Sequence, residues 1–321
     1  MWFSRQLVSH VLAIFLSSAW GGLSLADTWD DEIAASREKS RIYWDFAISH
    51  GAFISAGTFL NELGIPRHTC EVAGRLLGLE QYTTSLPLFP EPQLHEDLDE
   101  DGLHDLQAYS IWLSNWASVA SSLREKSRVE LAHIWNLDCL GQFGIPNIAY
   151  LSIDEPDALF RQNDEYLSVI GEIEDGFFVR FSKWLAENPQ TTTVALGSGG
   201  GSVSDALRAG RLIRRLGLDT SLASNCYSAC PLIFVAGVER RIWSPYPKLG
   251  FHQVSSNGRA VPSDHPVYAQ VSLYLLDLGV KPSFVLNAMM RAAPSDMHYP
   301  ELYELCIARA ATWIQRRCWS Q

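Results

Sequence analysis

The chain has 321 residues, of which 47% are hydrophobic and 19% are charged, a balance typical of globular proteins with a sizeable core. This composition excludes an intrinsically disordered chain. The formal net charge of −11 and the absence of a basic stripe argue against a nucleic-acid partner, because phosphate binding needs clustered lysines and arginines.

The first 26 residues have the pattern of a secretory signal peptide. Arg5 supplies the positive charge, an apolar stretch runs from Leu7 to Ala19, and Ser24 and Ala26 are the small residues that a cleavage site after Ala26 requires. The stretch is short for a membrane span, and the alternative is an uncleaved anchor. We therefore expect an exported protein, periplasmic or secreted, that is soluble once the peptide is removed.

Export gives the cysteines a structural interpretation, because disulfides persist in oxidising compartments. The chain contains six of them: Cys70, Cys139, Cys226, Cys230, Cys306 and Cys318. The simplest pairing joins the first to the second and the fifth to the sixth. Cys226 and Cys230 either pair with each other or stay buried and reduced. Their C-x3-C spacing is a weak zinc signal without a second pair, so we expect no metal and no other cofactor.

Residues 27–147 predict a helical N-terminal region. Helical patterns cover residues 30–63, 68–79, 103–123 and 127–140. The first and last of these patterns are followed by Gly-Ile-Pro breaks, which stop a helix. No chemistry follows from this region, and its role stays open.

One acidic segment of this region matches the first half of a calcium-binding loop. Aspartates stand at its first, third, fifth and ninth positions: Asp97, Asp99, Asp101 and Asp105. The twelfth position requires a bidentate glutamate and is Ala108. The segment is therefore interpreted as a solvated acidic loop that caps the next helix.

From residue 148 onwards, short apolar runs alternate with helical patterns. Strands are predicted at 149–153, 166–170, 192–196, 220–223 and 249–251, with helices at 176–187, 207–216 and 229–236. Such alternation predicts βαβ units and a mostly parallel sheet. Helical patterns dominate again from 267 to 314. We therefore expect an α/β domain over residues 148–321.

Two segments of this domain have the chemistry of an acyl-transfer site. Gly199, Gly200 and Gly201 follow a strand and precede a helix, so that their N–H groups can face an oxyanion; no P-loop lysine or G-x-G-x-x-G spacing supports a phosphate site. Ser228 lies at a strand-to-helix junction, where the N–H of Ala229 can donate to the same oxyanion. Taken alone, the glycines also fit a tight turn, and the serine is more typical of a helix N-cap.

His252 is the candidate general base for Ser228. It follows a predicted strand and needs a third group to orient its ring. The candidates are Asp264, Asp277 and Asp296, of which Asp296 lies on a loop between two predicted helices, where catalytic groups tend to lie. Taken alone, His252 is more typical of a packed or surface histidine.

Residues 166–314 resemble the proteolytic subunit of Clp protease, within the ClpP/crotonase superfamily. The resemblance rests on these segments: YLSVIGEIEDGFFVRFSKWLAENP, SGGGSV, DTSLASNCYSACPLIFVAGVERR, KLGFHQ and SDMHYPELYEL. It implies a ClpP/crotonase-like fold of repeated βαβ units. The signal peptide and the two central cysteines make the chain more similar to the exported ClpP-like proteins of bacteria than to the cytoplasmic peptidase.

The resemblance implies a triad of Ser228 as nucleophile, His252 as base and Asp296 as the orienting acid. The N–H groups of Ala229 and of Gly201, or Gly200 if the register is shifted, are then the oxyanion hole. Three residues depart from the family pattern: Gly199 replaces a proline, Tyr227 replaces a small residue, and His298 lies close enough to Asp296 to compete for it.

The resemblance implies a serine peptidase that hydrolyses peptides or unfolded segments. It also implies that copies of the chain can assemble into a homo-oligomer. We expect no ATPase partner, because ATP is not supplied outside the cytoplasm and a helical region replaces the family's unfoldase-docking loop. The alternative is a catalytically inactive binding or scaffold protein with the same fold. A crotonase-type acyl-CoA enzyme shares the glycine chemistry, but export separates the chain from CoA.

Overall fold

The computed structural model describes residues 25–52, 64–153, 157–243, 246–315 and 317–318. Apart from its last two residues, the predicted signal peptide lies outside this part of the chain, as do residues 53–63 of the first predicted helix. Within the described residues, no helix is both long enough and apolar enough to cross a membrane.

Among the described residues, the main elements of the N-terminal region are four α-helices and a π-helical turn. They are α1 Leu25–Ser49, α2 Ile65–Leu77, α3 Glu100–Leu123, α4 Arg128–Ile134 and the turn Trp135–Cys139. The pair α1 and α3 is joined by a buried hydrogen bond of 2.8 Å from Ser40 Oγ to the Ser110 carbonyl oxygen. Helix α4 begins with a capping box between Ser127 and Glu130, a local signal that stabilises a helix start.

The acidic segment before α3 has the structure of a helix cap. Asp99 is the N-cap residue of α3, and its carboxylate accepts a 2.9 Å hydrogen bond from the Gly102 N–H. An aspartate at this position satisfies a free N–H of the first turn and interacts favourably with the helix dipole. Across the described residues, no cluster of three or more histidine, cysteine or acidic side chains is arranged to hold a metal ion.

The C-terminal part is an α/β fold around a mostly parallel sheet, as predicted. Its first strands are β1 Leu159–Asn163, β2 Tyr166–Ile170, β3 Thr193–Ser198, β4 Asp219–Tyr227, β5 Arg241–Ile242 and β6 Leu249–Gly250. Five of them form one sheet in the order β1-β2-β3-β4-β6, in which only the β1–β2 pair is antiparallel. The intervening helices are α5 Phe177–Glu187, α6 Val203–Leu216 and α7 Cys230–Phe234.

Smaller elements complete the chain. They are β7 Ser255–Ser256, β8 Arg259–Ala260, α8 Pro266–Asp277, α9 Pro282–Met290, α10 Leu302–Ile307 and β9 Trp313–Ile314. The short strands β7 and β8 pair with each other, and β9 pairs with β5. Helices therefore dominate after residue 266, as predicted, but the described chain ends on a strand pair.

The strand predicted at residues 149–153 is wrong. The segment begins as a 3-10 turn, Asn147–Ala149, and continues without strand pairing. The side chain of Asn136 accepts a hydrogen bond from the Leu151 N–H at 3.0 Å and donates one to the Leu151 carbonyl oxygen at 2.8 Å. A helix side chain thus satisfies the backbone groups that a neighbouring strand would otherwise bond.

The two faces of the sheet pack against different parts of the chain. Leu167 and Val169 of β2 lie in the core that includes Phe177 and Phe181 of α5. Ile170, on the opposite face, lies in the core of the N-terminal region with Trp135. The N-terminal helices therefore cover a sheet face that would otherwise expose apolar residues.

All six cysteines are paired. The disulfides are Cys70–Cys139, Cys226–Cys230 and Cys306–Cys318, and no free cysteine is present among the described residues. The two predicted pairings are confirmed, and the open question about the central pair is answered by a third disulfide. Three disulfides fit a protein that functions in an extracellular, oxidising environment.

Gly210 allows α6 to approach α8 closely. A Cβ at this position would overlap the Tyr274 hydroxyl and lie 2.9 Å from the Tyr274 Cζ. Displacing that hydroxyl would break a hydrogen bond, because it donates to the buried carbonyl oxygen of Leu232 at 2.6 Å.

We therefore expect Gly210→Ala to lower the free energy of unfolding by about 2 kcal/mol, because the added methyl displaces Tyr274. Tyr274→Phe alone should cost about 1 kcal/mol for the lost hydrogen bond. The double variant should lose less free energy of unfolding than the sum of the two single losses. Urea denaturation of the oxidised protein measures these losses. Strictly additive losses would contradict this packing.

Candidate active site

Ser228 forms a tight turn between the end of β4 and the start of α7. Its φ is 59°, a left-handed conformation that residues other than glycine rarely adopt. The Ser228 N–H donates to the carbonyl oxygen of Gly250 at 3.0 Å, so strand β6 holds the turn in place. Ser228 is partly exposed, whereas Ala229 after it is buried. A strained, accessible serine held by its neighbours is typical of a functional site.

A disulfide spans this turn. Cys226 is the second-last residue of β4, and Cys230 is the first residue of α7. Both side chains are fully buried. The bond joins the segments on either side of Ser228, with the two Cα atoms 5.3 Å apart. It therefore restricts the conformations open to the backbone of Ser228 and Ala229.

The glycine loop lies directly against the serine turn. Strands β3 and β4 run parallel, and Ser198 is paired with Cys226, so the residues that follow each strand meet. Gly200 has a φ of 112°, and a Cβ there would lie 2.9 Å from Ser228 Oγ and 3.0 Å from the Ala229 nitrogen. Only glycine fits this position, because both the conformation and the space exclude a side chain.

The N–H groups of the loop differ in what they bind. The Gly200 N–H donates to Ser198 Oγ at 3.0 Å, and the Gly199 N–H faces the carboxylate of Glu172, where it partly offsets the rise in the pKa of that carboxyl. Within the described residues, no acceptor is bonded to the N–H of Gly201 or to that of Ala229. Of the predicted donors, these two are the ones left to bind an oxyanion.

Glu172 is a partly buried carboxyl next to the glycine loop that the sequence patterns did not single out. A Cβ on Gly199 would lie 2.7 Å from Glu172 Oε1. Burial, reinforced by the nearby charge of Glu174, raises the pKa of Glu172 to about 7. The motif GEIED places this residue at a strand end, but no sequence signal distinguishes a buried glutamate there from an exposed one.

His252 follows β6, the strand that pairs with β4. Its Nδ1 lies 2.7 Å from the carbonyl oxygen of Gln253. Because a carbonyl oxygen only accepts hydrogen bonds, a neutral His252 carries its proton on Nδ1, which leaves the lone pair on Nε2. This is the tautomer that a general base needs.

The loop that contains Asp296 reaches the same strand. Phe251 and His298 exchange two backbone hydrogen bonds of 2.9 and 2.8 Å. Asp296 itself is exposed, and its Oδ1 accepts a 2.8 Å hydrogen bond from the Met297 N–H. The backbone of His298 thus holds this loop beside the segment that contains His252.

The three predicted triad residues lie on adjoining segments but are not hydrogen-bonded to one another. In the described part of the chain, no hydrogen bond joins Ser228 to His252, and no ion pair joins His252 to Asp296. The other candidate acids, Asp264 and Asp277, are exposed and have no ion pair with His252 either. The triad assignment therefore stays a prediction.

The N-terminal region is tied to β4 close to the serine turn. Asp138, in the π-helical turn, is only 3% exposed and accepts hydrogen bonds from Ser224 Oγ at 2.7 Å and the Asn225 N–H at 3.0 Å. The hydroxyl of Tyr246 donates to the same carboxylate. Burial raises the pKa of Asp138 to about 6 in spite of these donors. The sequence predicted no chemistry for the N-terminal region, yet its Asp138 supports β4, the strand that leads to Ser228.

Tyr227, the bulky residue before Ser228, faces Tyr299 at the end of the Asp296 loop. Their rings meet edge to face, with centroids 5.8 Å apart. Burial, followed by the neighbouring Tyr299, raises the pKa of Tyr227 well above its usual range. The phenol therefore stays neutral and forms part of the wall beside the serine turn.

The raised pKa of Glu172 predicts a pH dependence of stability. The folded state binds this proton more tightly than the unfolded state, so the stabilisation is complete below the ordinary glutamate pKa and is lost as the pH rises through about 7. Between about pH 4 and about pH 8, we expect the wild type to lose about 3 kcal/mol more than Glu172→Gln.

Urea denaturation at a series of pH values measures this difference. Glu174→Gln is the matched control, because Glu174 is exposed and only adds to the shift. It should retain most of the wild-type slope. If Glu172→Gln and the wild type show parallel pH profiles, Glu172 is not the carboxyl with the raised pKa.

Comparison with known proteins does not assign the chain to a family: no model of a known protein family matches it, and no curated protein matches it significantly.

Proposed function

We propose that the chain is an exported, ATP-independent serine peptidase with a ClpP/crotonase-like core, acting on peptides or unfolded segments. The observation that carries the proposal is the left-handed turn at Ser228 (φ 59°) packed against a glycine loop, with the N–H groups of Gly201 and Ala229 lacking acceptors in the described residues. The disulfides and the signal-peptide pattern of residues 1–26 support export.

In this mechanism, Ser228 Oγ attacks the carbonyl carbon of the scissile bond while His252 Nε2 takes its proton. The oxyanion of the tetrahedral intermediate accepts hydrogen bonds from Gly201 and Ala229. His252 then returns the proton to the leaving amine, and water hydrolyses the acyl-enzyme by the same steps. The Gln253 carbonyl oxygen supports the required tautomer, and Asp296 is the proposed acid that stabilises the charged ring.

A second candidate function is a catalytically inactive binding or scaffold protein of the same fold. The hydrogen bond of Asp296 to the Met297 N–H favours it, because this bond uses the carboxylate away from His252. The crowding of the serine turn by Tyr227 and Tyr299 favours it as well.

A fluorophosphonate probe separates the two candidates, because it reacts only with an activated serine. We expect covalent labelling of the oxidised wild-type protein and none of Ser228→Ala, measured by intact-protein mass spectrometry. Ser256→Ala, which changes an exposed serine in β7, is the matched control and should be labelled normally. Absence of labelling in the folded wild type would support the inactive candidate.

The disulfide across the serine turn should be needed for reactivity. We expect Cys226→Ala/Cys230→Ala to lower the labelling rate at least about tenfold, because small displacements of catalytic groups reduce rates strongly. Cys306→Ala/Cys318→Ala removes a disulfide away from the turn and should keep the wild-type rate under conditions where both proteins are folded. Equal rates in the two variants would show that the serine turn does not depend on its disulfide.

A further inference from the structure

A pocket of about 270 Å³ opens between the N-terminal region and the strand that leads to Ser228. Gln142 and Asp138 line it from the N-terminal side, and Tyr227, Lys248 and Tyr299 line it from the α/β side. Its wall thus includes the residue directly before Ser228 and the end of the Asp296 loop. A ligand in this pocket would lie beside the serine turn.

Among the described residues that line the pocket, Lys248 is the cationic one, and it has no ion pair. Lys248 is exposed, and within the described residues no carboxylate lies within 4.0 Å of its Nζ. The ammonium lies 5.7 Å from the centroid of the Tyr299 ring, which holds it near the pocket mouth. Its backbone is anchored by a 2.8 Å hydrogen bond from the Lys248 N–H to Asn225 Oδ1.

The acidic side chain in the pocket does not offset this cation. Asp138 is buried, and its carboxylate accepts hydrogen bonds from Ser224, Asn225 and Tyr246. Its charge is therefore already stabilised by three donors and is turned towards β4. The Lys248 ammonium is the charged donor that remains available to a ligand at the mouth among the described lining residues.

We propose that this pocket binds a peptide carboxylate, with Lys248 as the residue that determines the specificity. The carboxylate is either that of an acidic side chain or that of a free C-terminus, since both present the same two oxygens to the ammonium. The aromatic walls, Tyr227 and Tyr299, contact the aliphatic part of the bound residue. The proposal rests on the proposed function in taking a peptide as the ligand, but it does not require turnover.

Peptide binding to Ser228→Ala tests the proposal without hydrolysis. Three fluorescein-labelled peptides differ only at their ends: Ala-Ala-Ala-Glu amide, Ala-Ala-Ala-Gln amide and Ala-Ala-Ala-Gln with a free carboxylate. We expect fluorescence anisotropy to give about tenfold tighter binding of at least one carboxylate peptide than of the Gln amide. The peptide that shows the gain identifies the source of the carboxylate.

Lys248→Met in the same background should abolish this preference. Lys183→Met removes an exposed lysine of α5 and should leave it unchanged. Equal binding of the three peptides, no binding of any of them, or a preference that survives Lys248→Met would overturn the proposal. Fluorophosphonate labelling of wild-type protein tests the peptidase separately, so a failed pocket and a failed peptidase give different results.

Discussion

The parallel pairing of β3 with β4 is the constraint on which the candidate site depends. Its register shifts between Leu196 and Ser198, and the shift brings Gly200 against the Ser228 turn. The backbone of the loop then comes so close to the turn that only glycine fits. As a result, Gly201, which follows β3, and Ala229, which follows β4, both lie where these two strands end. Neither strand alone contains the candidate oxyanion site, because its two proposed donors follow different strands.

One partly buried and one fully buried carboxyl lie on either side of this arrangement. On one side the carboxylate of Glu172 faces the Gly199 N–H, and on the other Asp138 accepts hydrogen bonds from three donors in and near β4. Burying a carboxyl is unfavourable, which is why the pKa of each is raised. Removing the donors of such a group costs more than a surface contact would. The N-terminal helices are therefore part of the support of the site.

Much of the α/β order was predictable, because apolar runs and helix stops are local properties. Strand β4 and its serine turn and the loop at Gly199 belong to this class, whereas the two predicted disulfides followed from the simplest pairing of six cysteines in an exported chain. The strand expected at 149–153 failed because the Asn136 side chain bonds the backbone of Leu151. Strand β1 was missed since LFRQN lacks a clear alternation and is stabilised by its antiparallel pairing with β2.

The sequence by itself determined which residue types stand after each strand: three consecutive glycines, a serine between two cysteines, and a histidine after a short apolar run. Those are local patterns, and local patterns are sufficient to predict elements and candidate groups. Only the tertiary structure decided which of these groups already have partners within the protein and which are available to a ligand. It committed the Gly200 N–H to Ser198, turned the Asp296 carboxylate to Met297, buried Asp138, partly buried Glu172, and left Lys248 at a pocket with no ion pair among the described residues. Burial and hydrogen-bond partners depend on contacts between segments far apart in the chain, and no local pattern contains them.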